Sequence, residues 1–411
     1  MKNQITFLLL FILSHSASAE ILKVGSGMRY NGINTAIAAA GTGDTIIVSQ
    51  GIYKEKGIIV DKKITLIGEG YPVLDGEGKY EVLSVKANGV IVKGFTITHS
   101  GSSSLEDIAG IKIYNVRDVV ISDNILDDTY FGIYSQYGTN CTIENNKITS
   151  YGQAELMSGN GIHCWKSDSM RIIGNTIKGH RDGIYFEFVT NSVIWRNISE
   201  KNIRYGLHFM FSNDDSYIMN VFENNGAGVA VMFSKHVKMF RNFFQENWGD
   251  AAYGLLLKEI SDSYIEGNFF HKNTTAIFME GASRISAIKN VFSDNGWGMK
   301  IQASCMDIAV NQNNFTGNTF DVATNGSLVL NNFDHNYWDK YEGYDINKDL
   351  SGDIPFHPVS MYSMIIETNP PAMILFRSFI TSLLDKTEKI LPILTPENLK
   401  DNFPVMKPYT L

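Results

Sequence analysis

The chain has 411 residues, long enough for two average domains or for one solenoid. Its 35 Lys and Arg against 43 Asp and Glu leave a net charge of −8, which argues against a nucleic-acid partner. Aromatic residues make up 12% and charged residues only 19%, a balance that excludes a disordered chain.

The N-terminus reads as a secretory signal over residues 1–19. Lys2 supplies the positive region, Ile5 to Leu13 the apolar run, and Ala17-Ser18-Ala19 a small-residue cleavage site before Glu20. The run is short for a membrane span, and no Cys follows it to carry a lipid. An exported, periplasmic protein is the expectation; an uncleaved anchor is the alternative. Ile33 to Ala40 has the pattern of a short amphipathic helix, placed to cap a first coil. Ile46 to Val48, Ile64 to Ile67 and Val90 to Val92 are strand-like.

From residue 110 a repeat takes over. Gly110, Gly132, Gly161, Gly183, Gly206, Gly228, Gly254 and Ala276 are spaced by 22, 29, 22, 23, 22, 26 and 22 residues. An Asn follows each by fourteen: Asn124, Asn146, Asn175, Asn197, Asn220, Asn242, Asn268 and Asn290. In the coil starting at Gly110, β-rich bursts at Ile111/Ile113, Val119/Ile121 and Ile125/Leu126 are separated by turn formers. Three short strands per coil of about 22 residues predict an all-β fold. It is a single-stranded, right-handed parallel β-helix over residues 20–340, with a C-terminal helical tail. The column Leu126, Ile148, Ile177, Phe222, Phe244, Phe270 and Phe292 is interior, with Ser199 its exception. Cys141, Cys164 and Cys305 are too few and too scattered for a disulfide framework. The first two fall at inward positions and read as buried thiols, with metal ligation or bridging as alternatives.

In the strand after each Gly, alternate residues face outward. The middle of this outer face concentrates His163, Trp165, Tyr185, Glu187, His208, Met210 and Met232. An ordinary solvated strand face carries Lys, Thr and Ser instead. His208 and Met210 lie two apart on one strand, with roughly 7 Å between their Cα atoms; Met232 lies one coil on, roughly 5 Å from Met210. One imidazole and two thioethers suit Cu(I). His163 and Glu187 share the face, and Met157, on the insertion of the 29-residue step, is a further candidate ligand. The competing reading packs the methionines under a loop or against a partner. A second function class is a carbohydrate-active enzyme, with Tyr185, Glu187 and His208 as acid/base groups and Arg204 clamping a substrate carboxylate.

Residues 341–358 form an acidic segment in which Asp345, Asn347, Asp349 and Asp353 resemble a calcium loop. The Gly is misplaced for an EF-hand and no Glu closes it, so a solvated acidic turn is the alternative. Residues 359–411 leave the repeat. Val359 to Glu367 and Ala372 to Leu391 are apolar and helix-like, split by Pro370-Pro371. This tail suits docking on a membrane or partner, or capping of the last coil.

The export signal, the Asn-marked coils and the tail together resemble the NosD family of periplasmic maturation proteins for nitrous oxide reductase. The tail carries the most specific part: GDIPFHPVS, then NPPA, LPILTPE and PVMKP. The resemblance implies a non-enzymatic role in an ABC transporter complex with a membrane permease and a cytoplasmic ATPase. It implies copper received from a small copper chaperone lipoprotein and supplied to nitrous oxide reductase. It does not carry ligand positions, so His208, Met210 and Met232 stand on spacing alone.

Overall fold

The computed structural model describes residues 19–103, 106–249, 252–326, 331–376, 378–390 and 399–410. The predicted signal, apart from its last residue, lies outside them. Among the described residues the strands form three parallel sheets of 14, 12 and 13 strands. Each sheet takes every third strand of the middle coils, in chain order, so each coil adds one rung to all three faces. The coil at Gly110 has strands Ala109–Tyr114, Val120–Ser122 and Ile125–Asp127, as its sequence predicts.

No coil can bury its apolar face alone; stacking supplies both the strand pairing and the core. The Phe column packs ring on ring. Phe244–Phe270, Phe270–Phe292 and Phe292–Phe315 have centroids 4.6, 5.0 and 4.6 Å apart and planes within 11° of parallel. It ends on Phe315–Trp338 at 4.2 Å. All three cysteines are buried and free.

The Asn column is a hydrogen-bonded ladder. The side-chain Oδ1 of Asn146 accepts from both the N–H and Nδ2 of Asn124, each at 3.0 Å, and the pattern recurs along the stack. Each amide thereby satisfies a buried turn that would otherwise leave donors orphaned. A second ladder, of Asn202, Asn225, Asn247, Asn273, Asn295 and Asn318, runs five residues behind the first.

The N-terminal helix α1 (Ile33–Ala39) covers the first coil, burying Ile33, Ala36 and Ile37. The C-terminal tail divides into three parts. Helix α2 (Met361–Thr368) lays Tyr362 and Ile366 against Trp297, Phe320 and Ala323 on the outer face of the twelve-stranded sheet. The final segment returns to close the last coil. The buried Asp401 carboxylate accepts from Asn336 N at 2.8 Å, Asn336 Nδ2 at 3.1 Å and Trp338 Nε1 at 3.1 Å, replacing the next Asn of the ladder. Tyr409 and Asn314 exchange two further hydrogen bonds at 2.9 and 2.8 Å.

Between these anchored ends the chain exposes Ile374, Phe379, Ile380 and Leu383, the last three on helix α3 (Phe379–Ile390). The second predicted helix is therefore a 3-10 turn, Pro370–Leu375, followed by α3. The extended end of the tail serves as a cap. No helix among the described residues is long and apolar enough to cross a membrane.

Candidate metal-handling face

The twelve-stranded sheet places the candidate residues. Inward positions such as Leu207, Phe209, Val229 and Val231 are fully buried, which fixes the side chains between them on the outer face. Met210 is the register partner of Met232, and Glu187 that of Met210. Glu187, Met210 and Met232 are thus successive half-buried rungs of one column, roughly 5 Å apart. Trp165 precedes them and Lys258 follows.

His208 stands two residues before Met210 on the same strand, but it is not an open surface group. It is 6% exposed, and neither ring nitrogen has a hydrogen-bond partner. Its cover comes from the start of the neighbouring strands. The ring lies 4.9 Å from both Tyr185 and Tyr205, and Nδ1 is 3.7 Å from the fully buried carboxylate of Asp182. Arg204 clasps that carboxylate through Nε at 2.9 Å and Nη2 at 2.5 Å. Burial works against the charge on Asp182, but His208 and the Arg204 guanidinium outweigh it and hold the carboxyl below its ordinary range. The fork of Arg204 is therefore engaged by Asp182.

His163 is separated from His208. The ring of Tyr185 stands between them, 4.7 Å from one imidazole and 4.9 Å from the other. With Tyr134 at 4.5 Å the series makes an alternating Tyr–His ladder along the sheet. Asn160 holds His163 Nδ1 at 3.3 Å, and burial pushes the imidazole down to about 3, so it is neutral.

Met157 is also set apart. It sits on the 3-10 turn Glu155–Met157, 70% exposed, and lines a depression of about 540 Å³ with His99, Asp128 and Tyr130. The repeat fixes where that insertion starts and ends but not its path. Sequence reasoning also missed three phenylalanines beside the methionine pair. Phe188, Phe211 and Phe233 are 44%, 40% and 40% exposed and stack at 5.2 and 5.1 Å. All three hold left-handed backbone, with φ of 54°, 51° and 54°, a conformation rare for bulky residues. Counting one position past the methionine column finds them.

Among the described residues no three His, Cys, Asp or Glu side chains converge as a metal-binding group. His208, with neither ring nitrogen hydrogen-bonded, stands two residues before Met210 on one strand, and imidazole and thioether donors suit a soft ion. In the acidic segment, Asp345 accepts from the N–H groups of Asp349 and Leu350 at 3.2 and 2.9 Å, and Asp353 from that of Ile346 at 2.6 Å. These carboxylates accept from the backbone of their own turn.

Comparison with known proteins gives two family matches. The NosD model, described as periplasmic copper-binding protein, matches residues 149–349, and that of the right-handed beta helix region matches residues 28–177. A probable ABC transporter binding protein NosD from Stutzerimonas stutzeri is 27% identical over 85% of this chain and 84% of its own. One of the same description from Pseudomonas aeruginosa is 26% identical over 85% of each chain. Among solved structures, the catalytic unit of an α-1,3-glucanase from Streptomyces thermodiastaticus superposes with a TM-score of 0.61. It is 13% identical over 74% of this chain and 65% of its own. That last likeness is one of fold.

Proposed function

The chain belongs to the NosD family, and from that premise we propose that it is a periplasmic accessory protein that carries copper for the maturation of nitrous oxide reductase. Copper is cargo here, not a resident cofactor. The observation that supports this reading is the pairing of Met210 with Met232 on adjacent rungs, next to His208, whose ring nitrogens make no hydrogen bond and whose Nδ1 lies 3.7 Å from Asp182. Thioethers bind Cu(I) without demanding a charged site, and the His208 imidazole adds a third, borderline donor. Glu187 on the preceding rung supplies a carboxylate at the edge of the set. His163, behind Tyr185, and Met157, at the depression beside His99, are left outside this set.

The relatives' description as ABC transporter binding proteins supports association with a membrane permease and its ATPase. The exposed apolar residues Ile374, Phe379, Ile380 and Leu383, held between two anchored segments, suit that contact. A copper chaperone lipoprotein as donor and the reductase as acceptor complete the reading.

The test is a Cu(I) competition titration against a chromogenic chelator. The His208→Ala/Met210→Ala/Met232→Ala variant is expected to bind at least a hundredfold more weakly than the parent. Equal affinity would remove this face from the account. The enzyme reading predicts turnover of alginate or pectin, and the engaged fork of Arg204 speaks against it.

A further inference from the structure

The depression that takes Met157 holds a histidine arranged as metal ligands are. His99 Nδ1 lies 3.0 Å from Asp75 Oδ1, and Asp75 is anchored in turn by the N–H of Glu77 at 2.9 Å. A carboxylate on Nδ1 orients the ring, and a metal bound at Nε2 would leave the ring proton on Nδ1, facing Asp75. That Nε2 faces a second carboxylate, Asp128 Oδ2, at 4.0 Å. Two donors each about 2 Å from one ion span that distance when they stand opposite one another. Both side chains are half exposed, at 53% and 56%.

We propose that His99 Nε2 and Asp128, with the thioether of Met157 closing from the inserted turn, form a second copper site at this corner, separate from the methionine pair. Glu77, His99 and Asp128 all leave the backbone from left-handed turn positions, with φ of 55°, 50° and 57°. Imidazole and carboxylate suit Cu(II), and the exposed thioether of Met157, lining the same depression, adds a soft ligand. Lys54, 3.6 Å from Asp75 and 3.5 Å from Glu77, balances the remaining charge. His236 is the internal comparison. Its Nδ1 meets Asp214 at 2.9 Å in the same way, and no second carboxylate pairs with its Nε2 among the described ion pairs. The choice of copper rests on the family's copper handling; the donor geometry does not.

The experiment uses the exported chain carrying Met210→Leu/Met232→Leu, titrated with Cu(II) and followed by electron paramagnetic resonance and calorimetry. The expected result is one Cu(II) with nitrogen hyperfine structure from a single imidazole. His99→Gln should lose it, His236→Gln should keep it, and Asp75→Asn should weaken it about 10- to 100-fold by releasing the ring. Retention of the signal in His99→Gln, or equal loss in His236→Gln, would overturn the proposal. Failure of the methionine face shows only in the Cu(I) titration, so the two readings fall separately.

Discussion

Asp401→Ala is expected to open the C-terminal end of the solenoid and leave its middle intact. The Asp401 carboxylate is the side-chain acceptor for Asn336 N, Asn336 Nδ2 and Trp338 Nε1, and both donor residues are almost wholly buried. Orphaning a buried donor costs about 1–3 kcal/mol. Three of them set a ceiling near 9 kcal/mol by that range, and relief from burying a carboxylate returns part of it. A net loss of about 3–5 kcal/mol is the working figure. In a stacked repeat this loss stays local, because each coil touches only its neighbours. Amide hydrogen exchange reads it directly. Peptides covering strand Asn332–Asp334 and Trp338 should exchange at least a hundredfold faster, and those covering Ser216–Glu223 should not change. Asp401→Asn keeps one acceptor oxygen and should lie between. Exchange that is unchanged at the last coil, or faster everywhere, would refute the capping argument.

Other outcomes rest on the same structure. Phe270→Ala empties the centre of the ring stack and should cost about 3–5 kcal/mol, measured as loss of resistance to denaturant in the surrounding coils; a loss below about 1 kcal/mol would mean the stack is not close-packed. Burial holds His163 down at about 3 and His180 at about 4, against 6.5 when unfolded. Their contribution is present above about pH 6.5 and lost as pH falls toward 3, so variants lacking both imidazoles should lose less stability on acidification. Asp215 has the opposite sign: burial raises it to about 8 from 3.8. Its contribution is present below 3.8 and lost as pH rises through 8, so Asp215→Asn should gain stability at neutral pH and little at about pH 4. An identical pH profile for Asp215→Asn and parent would contradict that. Replacing Ile374, Phe379, Ile380 and Leu383 with Ser should abolish co-purification with the transporter and spare the fold; persistence of the complex would place docking elsewhere. Truncation after Val359 is the poorer experiment, because it also removes the Asp401 cap.

The solenoid was readable because a stacked coil writes its geometry at a fixed interval. Gly110, Asn124 and Leu126 each return one coil later, and three period-two bursts lie between them. The same counting placed Glu187, Met210 and Met232 in one column. It also carried the second Asn ladder and the Phe188–Phe211–Phe233 stack, at offsets that were not followed. What counting cannot carry is anything that leaves the lattice. Met157 rides an insertion whose path is set by its own turns. Asp401 meets Asn336 across 65 residues, through a tail with no repeat. Of the lid over His208, Tyr185 was among the counted positions, but Tyr205 and Asp182, with its partner Arg204, stand just before the Gly marks and were not. That lid is why a histidine expected on an open face is nearly inaccessible.

X-ray absorption of the Cu(I)-loaded chain tests whether the methionine pair and His208 hold copper together. Two sulfur scatterers and one imidazole nitrogen are expected, with both sulfurs lost in Met210→Leu/Met232→Leu. A first shell of nitrogen and oxygen alone, or a sulfur shell that survives in that variant, would contradict it.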